Sequence, residues 1–233
     1  GATYKGKSVG SFGRVGSFSF YYSHHITTLE GGICVTDDFE LAEMMRIIRA
    51  HGWIRQVEDK EKWTKKHPGF DPKFLFVNEG YNLRITEPQA SMGLIQIDKL
   101  DGFIEKRISN ASNYRSSFSK YSDFFSFQET TKDAKNSHFG FPFVVKKNNF
   151  FNRDEICKYL NNKGIETRPI IAGNIARQPA NALFNHRISG ELLNSDIIMD
   201  NGFSIGVHQS LCNESMDYVK EIFDNFFKER KLS

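Results

Sequence analysis

Residues Ser17 to Gly32 constrain this chain more than any other stretch. Val15 to Tyr21 carries aromatic residues in alternation and reads as a strand. Polar turn residues follow, then two adjacent imidazoles, His24 and His25, then Glu30-Gly31-Gly32 and a short apolar strand, Gly32 to Thr36, expected to be buried. A strand that ends in polar, conformationally permissive residues is where α/β proteins usually place chemistry. Imidazole is the side chain that gains and loses a proton near neutral pH. On the residues alone, His24 and His25 are either proton carriers or plain turn residues.

Ser19, Phe20, Thr27 and Glu30-Gly31-Gly32 together resemble the cofactor-lysine segment of the DegT/DnrJ/EryC1/StrS family, PLP-dependent enzymes acting on nucleotide-linked keto-sugars. The lysine slot of that segment holds His24 here. The resemblance implies an α/β chain of PLP-dependent fold type I, aspartate aminotransferase-like. Residues 1–110 would be the end of the large cofactor-binding domain and residues 111–233 the small α+β domain. Gly1 to Gly10 resembles the family's stretch directly after the aspartate that pairs with the pyridine nitrogen. That aspartate, the ring-stacking residue and the first phosphate-binding turn are therefore expected upstream, and the chain is expected to be the C-terminal portion of the family's length.

A lysine in the slot would hold pyridoxal covalently; imidazole cannot. Lys5 and Lys7 lack the required spacing from Ser19. The pattern resembles the family's sugar 3-dehydratases, which use pyridoxamine phosphate bound without a tether. What this implies is removal of the C3 hydroxyl of a nucleotide-linked 4-keto-6-deoxyhexose, in deoxysugar or lipopolysaccharide O-antigen synthesis, with His24 as base. A nucleotide-sugar aminotransferase of the same family is the alternative, and it needs lysine at position 24. A non-catalytic homologue that binds nucleotide sugar is the alternative from another class. A histidine-ligated metal protein lacks a third ligand at suitable spacing.

The resemblance also assigns supporting roles. Ser19 corresponds to a serine on the cofactor phosphate. Tyr21 is expected on the same strand face as Ser19, within reach of the site. Gly80-Tyr-Asn-Leu-Arg84 resembles an element whose asparagine, here Asn82, reaches the partner subunit's cofactor phosphate, which implies a homodimer with shared sites. Gly164 to Pro179 resembles the dehydratase-like Thr-Arg-Pro-x-x-Ala-Gly-Asn stretch. Arg168 and Arg177 can pair with phosphate oxygens there, and Asn174 with sugar hydroxyls. His208-Gln209 is expected to line the sugar pocket.

A net charge of +3 over 233 residues gives no case for nucleic acid. Hydrophobic content of 39% and charged content of 25% suit a soluble globular protein. No apolar run approaches the roughly 18 residues of a membrane span, and a cytoplasmic setting is expected. Cys34, Cys157 and Cys212 are far apart without CxxC spacing, so neither a disulfide framework nor a zinc ribbon is indicated. Cys34 is expected to be a small buried hydrophobe. His51 to Asn78 contains no cysteine, where cluster-bearing dehydratases carry theirs. No iron–sulfur cluster is expected, and an amino acid such as glutamate would re-aminate the cofactor.

Further along, Asp37 or Asp38 caps a helix with Leu41, Met44, Met45 and Ile48 on one face, closed by Gly52. Trp53 to Asn78 lacks periodicity and is expected to be a long loop, its charges solvated. Thr86 to Gln89 opens a helix with Ala90, Leu94, Ile97, Leu100 and Ile104 in register, and a close contact would explain Gly93 within it. Phe139–Val145 and Gly202–Val207 read as strands, Ile165–Pro169 as an extended segment. Asn152 caps a helix ending at Gly164, and Met216, Val219, Phe223 and Phe226 mark a C-terminal amphipathic helix. Most of the 22 phenylalanines are expected in the core.

Overall fold

The computed structural model describes residues 1–232, and their backbone divides into two compact units, Gly1–Asp101 and Gly102–Ser233. The first holds a small hairpin of β1 (Thr3–Tyr4) and β2 (Lys7–Ser8), then an antiparallel ribbon of β3 (Gly16–Ser19) and β4 (Gly32–Val35). Ser19 lies opposite Gly32, so the two ends of the histidine-bearing turn start side by side. Helices α1 (Phe39–Ile48), α2 (Lys60–Lys66) and α3 (Glu87–Ile97) follow, and α4 (Leu100–Phe118) leads into the second unit.

Asp38 caps α1 by accepting the Leu41 N–H at 3.0 Å. The most buried positions of α1 are Glu43 and Ile47 rather than the expected leucine and methionines, which are half-buried. Glu43 is 1% exposed. Its carboxylate accepts the backbone N–H groups of Glu58 and Asp59 and pairs with Arg46 at 2.7 Å. Burial pushes this carboxyl up, but the Glu58 N–H, the Arg46 guanidinium and the Asp59 N–H outweigh it and hold it below its ordinary value.

That anchor explains a correction. The stretch from Trp53 to Asn78 is ordered, with α2 capped by Asp59 and a small core of Ile47, Ile54, Val57 and Leu75. Trp53 stacks on Phe74 and Phe76. Ile54, Val57 and Leu75 join Ile47 of α1 at irregular spacing, so no period shows in the sequence.

Two further expectations change. Among the described residues no third strand pairs with the ribbon β3–β4, and every residue of β4 is exposed, Cys34 included. Alternation has no layer to face there. The helix expected from Thr86 through Ile104 breaks after Ile97 at Asp98, and Leu94 and Ile97 point outward. Its start is as expected: Thr86 N–H donates to Gln89 Oε1 at 3.1 Å, and a Cβ on Gly93 would sit 3.2 Å from Thr28.

In the second unit, β5 (Phe125–Phe127), β7 (Phe141–Val145) and β8 (Gly202–Ile205) form an antiparallel sheet in the order β5-β7-β8, with the two-residue β6 (Ala134–Lys135) before β7. Helices α5 (Arg153–Asn162), α6 (Leu193–Asn201) and α7 (Asn213–Glu229) complete it. Asn152 and Glu155 cap α5 reciprocally, and Gly164 takes the left-handed conformation after it. Phe143 lies stacked between Phe203 and Phe223 at 4.9 and 5.2 Å. Burying a phenylalanine fully contributes about 1.5–3 kcal/mol, so this aromatic core dominates the unit. Nine of the 22 phenylalanines are buried, all in this unit; another nine are exposed, against the expectation of a mostly interior set. No helix among the described residues is long and apolar enough to cross a membrane.

Candidate active site

The chain between β3 and β4 is tied by its own backbone and threonines. Phe20 N–H donates to the Gly31 carbonyl, and Thr28 N–H to the Phe20 carbonyl, each at 2.9 Å. Thr27 Oγ1 donates to the Phe20 carbonyl and accepts the Leu29 N–H; Thr28 Oγ1 donates to the Glu30 carbonyl at 2.7 Å. Gln89, in the first turn of α3, donates to the same Glu30 carbonyl at 2.9 Å. Gly31 has φ +149°, and a Cβ there would fall 2.4 Å from Thr28 Oγ1, so only glycine closes this turn. The motif's Thr27, Glu30 and Gly31 thus build the loop and leave the imidazoles and phenols to line it.

His24 is half-buried. Its N–H donates to the Tyr21 carbonyl at 3.0 Å, and its ring meets the Tyr21 ring edge to face, centroids 6.1 Å apart. Tyr21 does not continue the strand as alternation suggested. β3 ends at Ser19, and the Tyr21 N–H turns back onto Ser19 Oγ at 3.2 Å. A short hydroxyl at a strand end competes with the ladder in this way. Ser19 Oγ thereby serves as an acceptor and keeps its own hydrogen to donate outward, as a phosphate oxygen requires. Partial burial, then Tyr22, then Glu30 push the Tyr21 phenol above its ordinary value, so it stays an O–H donor at neutral pH.

Asn82 lies elsewhere in the same unit. Residues 77–83 run antiparallel beside the end of α1: Tyr81 N–H to Ile48 O at 2.7 Å, His51 N–H to Tyr81 O and Leu83 N–H to Arg49 O at 2.9 Å. Asn82 bridges Ala50, its side chain exposed between exposed Tyr81 and Leu83.

The other candidates belong to the second unit. Arg168 pairs its backbone with Ser204 in both directions, and its Nε donates to Glu166 at 2.8 Å. Asn174 is 3% exposed, its Nδ2 on Asp196 at 2.6 Å and its Oδ1 accepting the Ala176 N–H. Arg177 grips the same Asp196 through two nitrogens. Arg177 and Asn174 pull that carboxyl down to about 2. Asn174 and Arg177 are therefore engaged within their own loop. His208, past the end of β8, has its Nδ1 occupied by Ser210, whose Oγ lies 2.6 Å and whose N–H lies 3.2 Å from it. Burial, then Arg107, push its pKa down.

Glu43, Arg107 and Asn110 were not among the expected site or anchor residues. Arg107 and Asn110 are both 3% exposed and hold the chain around His208. The available signal was a polar residue on the buried face of a helix, and it shows only once the face is known.

The family described as DegT/DnrJ/EryC1/StrS aminotransferase matches residues 1–224. The chain belongs to the DegT/DnrJ/EryC1/StrS family. Within it, the chain is 38% identical to GDP-4-keto-6-deoxy-D-mannose 3-dehydratase of Escherichia coli O55:H7 over 95% of this chain and 57% of that one. It is 36% identical to the lipopolysaccharide biosynthesis protein RfbH of Salmonella typhimurium, over 97% of this chain and 54% of that one. A solved structure of GDP-4-keto-6-deoxymannose-3-dehydratase with a trapped PLP-glutamate geminal diamine superposes with a TM-score of 0.87 at 37% identity, covering 95% of this chain and 57% of that one. The fold is thus PLP-dependent fold type I, as the family resemblance implied. This DegT/DnrJ/EryC1/StrS chain spans just over half the length of these relatives.

Proposed function

We propose that the protein is a cytoplasmic, homodimeric 3-dehydratase of a nucleotide-linked 4-keto-6-deoxyhexose, using pyridoxamine or pyridoxal phosphate, in deoxysugar and lipopolysaccharide synthesis. Residues 1–110 are the end of its large domain and 111–233 its small domain. The observation that carries this reading is His24 in the lysine slot, presented by a turn that Thr27, Glu30 and Gly31 hold together. The relatives named as 3-dehydratases support it.

The turn suits a cofactor held without a covalent tether. Ser19 has a hydrogen to donate to a phosphate oxygen. Asn82, exposed on a segment fixed by its backbone, supplies an amide to the phosphate of the partner's site. When bound, the cofactor supplies the amine that joins the C4 ketone and a ring that takes up electrons. His24 would take the proton at the cofactor's C4′ carbon and deliver it to the C3 oxygen, which leaves as water. Tyr21, neutral and edge-on to His24, orients that imidazole and offers its O–H to the sugar. Arg168 and His208 contact the nucleotide sugar. Asn174 contacts it once its loop releases Asp196.

The test supplies the whole protein with GDP-4-keto-6-deoxymannose, pyridoxal phosphate and glutamate, and reads the sugar product by mass spectrometry. Loss of the C3 oxygen supports the reading. A 4-amino sugar that keeps its C3 hydroxyl would make the protein an aminotransferase. No product with intact substrate binding would make it a non-catalytic homologue.

A further inference from the structure

Helix α4 buries a stripe of Ile104, Arg107, Ala111, Tyr114 and Phe118, with Asn110 beside it. Spacing of three and four residues places these on one face. Four of the five are apolar or aromatic, and an apolar residue at 107 would complete the stripe without the cost of burying a charge. Arg107 is 3% exposed, and no carboxylate among the described residues pairs with it. Its partners are all neutral. Nε donates to Gln209 Oε1 at 3.0 Å, and Nη1 to the carbonyls of His138 and Phe139 at 3.3 and 3.2 Å. One turn along, Asn110 Nδ2 donates to the carbonyls of Val207 and His208 at 3.3 and 3.0 Å. His138 has φ +50°, a strained backbone for a residue with a Cβ, and it lies in the segment the guanidinium holds. Thus two polar side chains on one helix face secure two separate loops.

We propose that Arg107, with Asn110, is a positioning residue that clamps the His208–Gln209 turn and the 138–139 segment to α4, so that His208 offers its Nε2 to the nucleotide sugar. The second half rests on the proposed function. A planar guanidinium reaches Gln209 and both carbonyls at once, which an ammonium cannot do. The charged group facing the His208 ring from α4 is Arg107, and no acidic side chain opposes it there. Ser210 occupies Nδ1 through its Oγ at 2.6 Å and its N–H at 3.2 Å, so Nε2 is the ring nitrogen left to meet a substrate.

The experiment compares the whole protein with its Arg107→Lys and Gln209→Asn variants. It reads the ¹⁵N spectrum of His208 together with KM and kcat for the nucleotide sugar. Gln209→Asn retracts one acceptor and leaves the core intact, so it answers if Arg107→Lys does not fold. The expected result is mixing of the His208 tautomers and a rise in KM, with kcat/KM falling about 10- to 100-fold. A lower unfolding midpoint with an unchanged His208 spectrum and unchanged KM would overturn the proposal, leaving Arg107 a fold residue only. His208→Ala separates the two claims. If its KM is normal while the His208 spectrum still moves in Arg107→Lys, the clamp stands and the substrate contact falls.

Discussion

Gly80 and Gly52 cross backbone to backbone. A Cβ on Gly80 would lie 2.0 Å from the Gly52 nitrogen, and one on Gly52 would lie 1.7 Å from the Asn78 carbonyl oxygen. The crossing aligns residues 80–83 with the end of α1 and so sets where Asn82 projects.

Gly80→Ala is expected to destabilise the protein by about 3 kcal/mol or more, the upper end for single substitutions, because the clash is with backbone that cannot rotate away. Gly102→Ala, inside α4 with nothing within 4 Å of the added carbon, should be neutral or stabilising by up to about 1 kcal/mol. Urea unfolding midpoints of the two variants check this. Equal effects would mean the crossing is looser than described.

The Glu43 carboxylate should make part of the stability pH-dependent. Its folded pKa lies below the unfolded value of about 4.3. Its contribution is therefore complete above the unfolded value and is lost as pH falls through the lower folded one. Glu43→Gln is expected to cost about 2 kcal/mol at pH 7, from charge-assisted hydrogen bonds to two N–H groups and Arg46. The gap between variant and parent should narrow as pH falls below the unfolded value of about 4.3. Denaturant titrations at several pH values read this directly, and a constant gap would assign the cost to packing.

The sequence showed clearly where chemistry and caps coincide. Gly31 was legible because the turn between β3 and β4 leaves no room for a Cβ there. Asp38, Thr86 and Asn152 were legible because capping is local. Cys34 was not, since burial of a strand depends on what lies over it, and among the described residues β4 pairs with β3 alone. Trp53 to Asn78 was misread because Glu43, a residue on α1, supplies the bonds that order its start. Asn174 and Arg177 read as ligand contacts, but Asp196, remote in sequence, engages both.

Cys34, Cys157 and Cys212 stand apart, and no group of three or more metal-ligating side chains occurs among the described residues. A cluster ordinarily takes four cysteine thiolates. The whole protein, purified without oxygen, is expected to contain no stoichiometric iron or acid-labile sulfide and to turn over on glutamate without a reductase. Turnover that ignores glutamate and responds to a reductase would contradict this.

The central claim is that His24 moves the proton, and His24→Asn in the whole protein tests it most directly. Asparagine retains polarity and similar size but cannot serve as a base near neutral pH. Pyridoxamine phosphate affinity, measured by calorimetry, should stay within about threefold, because the proposed phosphate contacts, Ser19 and Asn82, are left in place. Dehydration measured in a single turnover should slow by about 10²–10⁴-fold, the range for loss of a general base. Single-turnover dehydration at close to the parent rate, with the cofactor bound, would contradict the account.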